Sequence, residues 1–414
     1  MILALTACSP ARMPEKPTLL PAPTGTPTLP AAPTRINTPT ATATETTPVF
    51  QVLDVPTIKV VPLSQLQFGH PIIIYAAKAI DEKIYQFSSP KFATSSAVFL
   101  ADVWPGTLKF SPDNQWFIYE VFSFKDQDHL AHYDLWLGST TGNVTPALIL
   151  KDLRGDINVW WLNNSQLIIA KPYGRNFDCP GDIVIMDPFL KTEKKLPNLP
   201  DIYHTSCFFE PLLNPDLSKA IYLESDRGWK QVEYASMTTT SVFSTLKDAD
   251  ISAHRPKYLF WDSDGISFAF ITSNQIRYAR NLVGSEITTA NQSKLIQLPP
   301  NMTSLYGGFE WWDLKKGLVA FDVEQNDKPE LTFVIANLDD RTLKNYKIDR
   351  NAIADHIGTA DYIVSTSDGR FLGWPLLKLP ENHPVLGSFI LDTQTGEASF
   401  LKDYQILGFG EAQP

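Results

Sequence analysis

TLKFSPDNQWFIYEV, residues 107–121, holds two apolar runs separated by a short polar segment. The second run is almost entirely aromatic or aliphatic, and the segment between the runs, Ser-Pro-Asp-Asn, is rich in turn-forming residues. Two apolar runs around such a segment predict a β-hairpin. A short carboxylate side chain in a turn accepts hydrogen bonds from the backbone that follows it. We therefore predict that Asp113 turns the chain and takes no part in chemistry.

The same hairpin recurs five more times. Its central turn residues are spaced 51, 52, 48, 52 and 52 residues apart. In each copy a third strand follows, such as DLWLGST in the first, and a turn leads to a short fourth strand. Four strands in a repeat of about 40–50 residues predict a β-propeller blade. The central turn residues are Asp113, Asn164, Asp216, Asp264, Lys316 and Asp368.

The two ends of the repeat region are incomplete and complement each other. Residues 72–103 hold three strand candidates, IIIYAA, KIYQFSS and AVFLADV, without a first strand of their own. ILGFGEAQP, from Ile406, has the apolar pattern of an inner strand. We therefore predict an all-β fold, a β-propeller of four-stranded blades with seven blades, the last closed by both termini. A ring of six blades is the alternative.

The Ser-Pro-Asp turn before an apolar strand, with the later strand DLWL, resembles the TolB-like (WD40-like) propeller repeats of periplasmic and surface proteins. The resemblance covers about residues 68–414, and the first copy matches best. In that family the repeat's aspartate makes the turn between the first two strands. The resemblance implies this structural role for Asp113, Asp216, Asp264 and Asp368.

The N-terminal segment predicts an anchored protein. Leu5-Thr6-Ala7-Cys8 resembles the lipobox of bacterial lipoproteins, which implies lipid attachment at Cys8. Pro14–Pro48 contains nine Pro, eleven Thr and no aromatic residue, a composition that favours an extended tether over a packed core. We divide the chain into a partial signal peptide (1–8), a tether and lead-in (9–64) and a propeller (65–414). The resemblance implies an extracytoplasmic protein, held by its lipid on the bacterial membrane or cell surface.

The composition of the chain limits the classes of partner that we expect. The formal net charge is −10 at pH 7, which argues against nucleic acid because polyanion affinity comes from clustered Lys and Arg. We expect no metal, since no His pair has the i, i+4 helical spacing of a common zinc motif. We also expect no cofactor, and a monomer.

The cysteines predict one cross-link. Apart from Cys8 the chain holds only Cys179 and Cys207, and an exported protein with two remaining cysteines usually pairs them. Both fall on connections that propeller geometry places on one face in adjacent blades. We predict a disulfide between them, with two free buried thiols as the alternative.

The longer connections predict a working face. They follow the second and fourth strands, lie opposite the tight turns and hold six of the seven histidines, among them His129 and His132. Loops on a rigid scaffold are where binding residues concentrate, and aromatic and Arg side chains dominate interface energetics. The candidate ligand-binding residues are Tyr173, Arg175, Arg227, Trp229, His254, Arg255 and His356.

Adjacent aromatic pairs recur at the first strands of three copies. In a strand, neighbouring side chains point to opposite faces, so one member of each pair is predicted to pack toward either neighbouring blade. A stacking platform for sugars is the alternative. The pairs are Trp160-Trp161, Phe260-Trp261 and Trp311-Trp312.

These observations favour a binding or scaffold module for a protein, peptide or glycan at the cell envelope. The alternative is a glycan-active enzyme of the glycosidase or lyase class, with carboxylates at the channel mouth. Sialidase-type propellers carry an Asp box that resembles S-x-D-x-G-x-x-W, but Gln115 occupies its glycine position. The chain also lacks the G-x-S-x-G nucleophile motif of α/β-hydrolases.

Overall fold

The protein is a β-propeller of small sheets, as predicted. Its described residues contain strands and short 3-10 turns, and none of their helical segments is long and apolar enough to cross a bilayer. The computed structural model describes residues 47–53, 58–78, 83–97, 100, 103, 105–127, 129, 131–142, 144–154, 158–173, 176–196, 212–214, 216–224, 228–241, 259–262, 265–271, 274–282, 294–304, 311–325, 328–347, 357–359, 363–378 and 385–411.

The strands are short and mostly antiparallel to their neighbours. The first half of the chain forms β1 (Gln51–Leu53), β2 (Lys59–Val60), β3 (Ile72–Lys78), β4 (Ile84–Ser88), β5 (Ala93–Ser96), β6 (Lys109–Phe110), β7 (Trp116–Lys125), β8 (Ala131–Ser139), β9 (Ala147–Arg154), β10 (Asn158–Asn163), β11 (Gln166–Tyr173), β12 (Asn176–Asp187), β13 (Thr192–Lys195), β14 (Leu212–Leu213), β15 (Lys219–Glu224), β16 (Gly228–Glu233) and β17 (Thr238–Ser241). The second half forms β18 (Leu259–Asp262), β19 (Gly265–Ile271), β20 (Gln275–Leu282), β21 (Lys294–Gln297), β22 (Met302–Ser304), β23 (Trp311–Asp313), β24 (Leu318–Gln325), β25 (Lys328–Asn337), β26 (Thr342–Lys347), β27 (Ile357–Thr359), β28 (Val364–Ser365), β29 (Phe371–Lys378), β30 (Val385–Asp392), β31 (Glu397–Lys402) and β32 (Tyr404–Glu411).

Six blades consist of strands that follow one another in the chain, and they match the six copies of the repeat. Blades 1 to 4 are β6–β9, β10–β13, β14–β17 and β18–β21. Blade 5 is β22–β26 and blade 6 is β27–β31, and in each of these two blades the first strand is broken into two pieces that pair with the same second strand.

A further four-stranded sheet, here called the closing sheet, joins the two ends of the propeller in the order β32-β3-β4-β5. Its register pairs Ile73 with Gly410 and Tyr75 with Gly408. β32 can lie close to blade 1 because Gly408 has no side chain: a Cβ there would stand 2.3 Å from the Phe110 ring. The pairing of both chain ends in one sheet is the closure that the sequence predicted.

One predicted strand of the closing sheet is wrong. AVFLADV, residues 97–103, was expected to be its outer strand, but that strand is β5, which ends at Ser96. Ala97, Leu100 and Val103 are buried between the closing sheet and blade 1. These three apolar side chains fill the gap between two sheets, and an apolar run of this length does not by itself distinguish a strand from core packing.

The core lies between neighbouring blades. Each blade is covered on both faces, so the sequences of its central strands are nearly continuous apolar runs and do not alternate between apolar and polar residues. Residues 72–77 of β3 are all buried, as are residues 319–323 of β24. The ring is therefore held together by a series of apolar clusters, each shared by two adjacent sheets.

Residues 47–53 and 58–61, here called the outer strap, run along the outside of three sheets. The strap pairs in parallel with the outer strand of blade 4 at Val49, then with β26 of blade 5 through β1, then with β31 of blade 6 through β2. Phe50, Ile58 and Val61 are 4%, 6% and 5% exposed. Each belongs to a different cluster between sheets. Residues of the predicted lead-in thus add strands to the propeller.

Candidate functional site

The turns between first and second strands share one hydrogen-bond pattern. One oxygen of Asp113 accepts from the Ser111 hydroxyl at 2.6 Å and from the Gln115 amide at 3.1 Å. This is the geometry of an Asx-type turn, in which the carboxylate organises the backbone around it. The equivalent donors are Asn214 Nδ2 (2.5 Å) and Ser218 N (2.9 Å) for Asp216, and Thr366 Oγ1 (2.6 Å) and Arg370 N (3.0 Å) for Asp368.

The residue after each of these aspartates adopts the left-handed backbone conformation. Its φ angle is 57° at Asn114, 60° at Leu217 and 68° at Gly369. The three turns therefore have one shape although their sequences differ. Asp264, the fourth predicted turn aspartate, lies outside the described residues.

The turns of blades 1 and 6 meet beside the end of the chain. Asn114 donates from its side-chain amide to the Ser365 carbonyl at 2.9 Å, and its own carbonyl accepts from the Glu411 amide at 3.1 Å. The Ser367 hydroxyl donates to the Glu411 carboxylate. The closing sheet is built from both chain ends, so no hairpin turn connects its first two strands, β32 and β3. The neighbouring turns bond to one another and to the end of β32 at this place.

A cleft of about 320 Å³ lies on this face, close to the lower end of the range for small-molecule sites. Its walls come from the turn of blade 1 at Pro112, from residues 311–315 of blade 5 and from the turn of blade 6. The lining combines two indole rings, a proline ring and three consecutive hydroxyl residues: Pro112, Trp311, Trp312, Asp313, Leu314, Lys315, Ser365, Thr366, Ser367 and Gly369.

The two tryptophans of the cleft have different environments. Trp311 is 9% exposed and packs between blades 5 and 6, where its ring lies over Gly369 at 3.3 Å from the position a Cβ would take. Trp312 is the next residue of the strand, so its side chain points to the opposite face of the sheet, and it is 36% exposed. Packing toward a neighbouring blade was predicted for both members of this pair. Trp311 follows the prediction and Trp312 does not.

The pair in blade 2 behaves as predicted. Trp161 packs between blades 1 and 2, and its indole N–H donates to the Lys109 carbonyl at 3.0 Å. Trp160 packs between blades 2 and 3. For Phe260 and Trp261 only the backbone lies within the description.

A departure from the repeat pattern accompanies the exposed Trp312. In blade 5 the Asp-containing turn is replaced by a 3-10 turn, Leu314–Lys316, followed by Gly317 at φ 68°. The fifth copy has lysine at the central turn position. Its weak match to the repeat was the available sequence signal that this blade is specialised.

The charged groups around the cleft are held by internal contacts. Asp313 accepts from the Lys316 amide at 3.2 Å and pairs with the Lys316 ammonium at 3.0 Å. The same ammonium donates to the Asp368 carbonyl at 2.8 Å. Burial raises the pKa of Asp368, but the hydrogen bonds from Thr366 and Arg370 outweigh it and hold the pKa below its ordinary value.

Behind the blade 6 turn lies a nearly buried ion pair. Arg370 donates to both oxygens of Asp392, at 3.2 and 2.7 Å, and the Asp392 side chain is 2% exposed. Burial raises the pKa of Asp392. The Arg370 guanidinium and the amides of Gln394 and Thr395 lower that pKa by more than burial raises it, so it lies below the ordinary value. This bidentate pair fixes the turn that forms one wall of the cleft.

The predicted working face lies opposite the cleft, and most of its candidate residues fall outside the structural description. These are Arg175, Arg227, His254, Arg255 and His356. Tyr173 ends β11 and Trp229 lies on β16, and for both the backbone alone is described. On this face the connection of blade 1 is largely a paired hairpin, because β7 and β8 stay paired as far as Lys125 and Ala131, with one register shift between Phe122 and Phe124.

The described residues cover the cysteines only in part. Cys8 and Cys207 lie outside the described residues, and the backbone of Cys179 lies on β12, so the disulfide stays a prediction. His132 contacts Asp126 at 3.2 Å and the Asp152 carbonyl at 3.3 Å. The part of the chain that the structure describes contains no group of three or more His, Cys, Asp or Glu side chains arranged to hold a metal ion.

The chain matches no protein family model and no curated protein. Solved structures with a similar course of the backbone include an oligogalacturonate lyase in complex with manganese, at 10% identity and a TM-score of 0.42, over 80% of this chain and 83% of that one. The oligogalacturonate lyase from Vibrio parahaemolyticus shows 9% identity and a TM-score of 0.42, over 80% and 85%. Dihydro-heme d1 dehydrogenase NirN in complex with DHE shows 11% identity and a TM-score of 0.44, over 86% of this chain and 79% of that one. The fold assignment rests on the strand pairing described above.

Proposed function

We propose that the protein is an extracytoplasmic binding module, anchored by a lipid on Cys8, that holds its ligand in the cleft between the turns of blades 1, 5 and 6. The observation that carries this proposal is the exposed Trp312 beside a cleft of about 320 Å³. An exposed indole at a concave site offers a large rigid contact surface at a small cost in conformational entropy. The ligand is a protein, peptide or glycan of the cell envelope.

The carboxylates near the cleft favour binding over catalysis. A general acid or nucleophile needs a carboxyl group free to reach the substrate. Here Asp113 and Asp368 organise turns, and Asp313 is held by Lys316. Each performs a structural task that a catalytic cycle would interrupt.

The cellular setting is supported by the sequence. The Leu-Thr-Ala-Cys motif ending at Cys8 resembles a lipobox, and the Pro/Thr-rich segment that follows has the composition of a tether. A tether of this kind would place a binding face away from the membrane surface. We propose this arrangement for the intact protein.

The proposal is tested by ligand screening with the full chain carrying Cys8→Ala, which prevents lipid attachment. Arrays of glycans and peptides, followed by titration of the hits, identify a ligand of the protein with no further substitution. Two variants then compare the two faces: Trp312→Ala for the cleft, and Trp229→Ala combined with Tyr173→Ala for the opposite face.

We expect Trp312→Ala to weaken binding strongly and the double variant to retain it. If the double variant loses the ligand and Trp312→Ala keeps it, the working face is the one opposite the cleft and the proposed site is wrong. Thermal melting of each variant shows whether a loss of binding is merely a loss of folding.

A further inference from the structure

We infer that the turn between the third and fourth strands of blade 2 docks on an anionic phospholipid surface. This turn, residues 188–191 between β12 and β13, is here called the blade 2 tip. It lies on the same face as the cleft but at the outer rim of the ring, and it does not line the cleft. Three properties of the tip point to a lipid surface: its exposed apolar side chains, its rigid geometry and the charge around it.

The blade 2 tip exposes two large apolar side chains. Leu190 is 73% exposed, more than any other large hydrophobic residue in the described part of the chain, and Phe189 is 40% exposed. The corresponding turns of the two neighbouring blades expose Val144 in blade 1 and Met237 in blade 3. Apolar groups that stand in water on one side of a ring mark a surface that gains free energy when a partner covers it.

The exposed side chains of the tip are held in place. One oxygen of Asp187 accepts hydrogen bonds from the amides of Phe189 and Leu190, both at 2.8 Å. The Phe189 ring also packs edge-on against the Trp116 indole of blade 1, with 4.9 Å between the ring centroids. Because the turn is already ordered, covering it costs little further conformational entropy.

The charge around the tip favours an anionic surface. The Lys191 ammonium donates to the Leu148 carbonyl at 3.1 Å, so its partner is neutral and its positive charge is kept. Lys194 and Lys195 follow on the exposed strand β13, beside a single acidic residue, Glu193. Lysine ammonium groups next to an apolar tip are attracted by the phosphates of anionic lipids, at distances up to about one Debye length.

The neighbouring turns do not cancel this charge. The corresponding turns of blades 1 and 3, residues 140–146 and 234–237, contain no charged residue. Asp113 and Asp216 lie on the same face in the inner turns, where hydrogen bonds hold their carboxylates. In blade 5 the corresponding outer turn, residues 338–341, contains two aspartates. Apolar exposure and positive charge therefore coincide at blade 2.

A protein partner is the main rival, because exposed apolar residues also mark protein interfaces. A stable protein interface buries about 800 Å² on each partner and needs closely complementary surfaces. The blade 2 tip presents two apolar side chains on a turn of four residues, next to a strand that is charged and exposed. The headgroup region of a bilayer is fluid and closes around an inserted side chain, so a small tip with lysines beside it suits lipid better than a second folded surface.

The contact is expected to be weak and reversible, because stable attachment to a membrane takes two signals. The lipid proposed at Cys8 would be the stronger of the two and would keep the membrane within reach of the tip. Release of the tip would leave the ring free on its tether. Docking would turn the rim of blade 2 toward the lipid.

The test is co-sedimentation with phospholipid vesicles of the full chain carrying Cys8→Ala, so that no acyl chain contributes. Vesicles of phosphatidylcholine alone are compared with vesicles that also contain phosphatidylglycerol. We expect binding to the anionic vesicles that weakens as salt rises from about 0.05 to 0.5 M, and much weaker binding to the neutral ones. Leu190→Ala should weaken partitioning roughly 10-fold, and Lys194→Gln roughly 5-fold.

Phe122→Ala and Lys125→Gln are the matched controls. Phe122 is 54% exposed, and both residues lie in the exposed end of β7 on the opposite face of the ring. Removing an exposed ring or an exposed ammonium group there should leave partitioning unchanged. Thermal melting of Leu190→Ala should match that of the parent protein, because the Leu190 side chain stands in solvent.

Each other outcome counts against the inference. Absence of binding to anionic vesicles would overturn it, and equal binding to both lipid compositions would overturn the anionic class. Binding that Leu190→Ala leaves unchanged, or that Phe122→Ala weakens as much, would show that the tip is not the contact. Light scattering reports the oligomeric state: a dimer that Leu190→Ala dissociates, without vesicle binding, would assign the tip to a contact between two copies of the chain.

Discussion

Asp368 shows how one carboxylate can hold a turn. A single oxygen accepts from Thr366 and from the Arg370 amide. We predict that Asp368→Ala lowers the free energy of unfolding by about 1 kcal/mol, the usual value for a lost capping-type interaction. Asp368→Asn should cost less, because the amide oxygen can still accept. Urea denaturation at neutral pH compares the variants, and equal stability of Asp368→Ala and the wild type would contradict the assigned role.

The same residue predicts a pH dependence. The folded pKa of Asp368 lies below its ordinary value near 3.8, so the unfolded state binds the proton more readily. The carboxylate therefore stabilises the fold above about pH 4, and this contribution is lost as the pH falls through the folded pKa. In Asp368→Asn the acid-induced loss of stability should be shallower. Denaturation curves from pH 6 to about pH 3 measure the difference, and parallel curves would contradict it.

Two glycines with the same φ angle allow the cost of backbone strain to be distinguished from the cost of a steric clash. Gly369 and Gly142 both have φ 68°. A Cβ on Gly369 would lie 3.3 Å from the Trp311 ring, whereas a Cβ on Gly142 would meet nothing within 4 Å. We predict that Gly142→Ala costs about 1 kcal/mol from the left-handed conformation alone. Gly369→Ala should cost more, because the ring must also move. Equal losses in urea denaturation would show that Trp311 yields freely.

Among the elements, the outer strap makes the clearest prediction. Phe50 is 4% exposed between blades 4 and 5, while Val52, two residues further along the strap, is 40% exposed. Phe50→Ala should lower the free energy of unfolding by about 3 kcal/mol, because it leaves a cavity between two blades. Val52→Ala should change it by less than about 0.5 kcal/mol. A small effect of Phe50→Ala would mean that the strap lies on the ring without stabilising it.

The disulfide between Cys179, whose backbone lies on β12 of blade 2, and Cys207 stays a prediction. A bond between Cys179 and Cys207 would close a loop of about 28 residues and stabilise the fold by roughly 3 kcal/mol if unstrained. The protein should therefore lose thermal stability in reductant. Mass spectrometry of the unreduced, alkylated protein counts the thiols, and two alkylated residues besides Cys8 would refute the bond.

For the whole molecule, the decisive contact is the closing sheet. β32 pairs with β3 from Tyr404 to Glu411 and contributes the buried Ile406 and Phe409. Ending the chain after Tyr404 removes that pairing and exposes the apolar face of β3, so we expect a large drop in melting temperature. Ending it after Glu411 preserves every pair between β3 and β32 and should leave the melting temperature unchanged. An unchanged melting temperature for the shorter chain would contradict closure by both termini.

The repeat itself determined much of the fold. Strands within one blade are separated by short turns, so their pairing is decided by local patterns of apolar runs and turn residues. This is why the blades, the turn role of Asp113 and the joining of the chain ends in one sheet could be predicted. The same locality explains why a strand at residues 97–103 was wrongly predicted: Ala97, Leu100 and Val103 fill a gap between sheets, and apolar residues of that kind also have the composition of a strand.

Only the tertiary structure decided the strap and the cleft. The strap pairs Lys59 with Glu397. Segments as short as β1 and β2 have too few residues to show an apolar alternation, so their sequence does not predict the strand with which they pair. The cleft brings Pro112 together with residues 311–315 and 365–369, turns that are local in themselves but meet only when the ring closes. Whether Trp312 faces a blade or solvent depends on the space its neighbours leave. Such spaces arise from packing between distant segments, and no pattern within one segment encodes them.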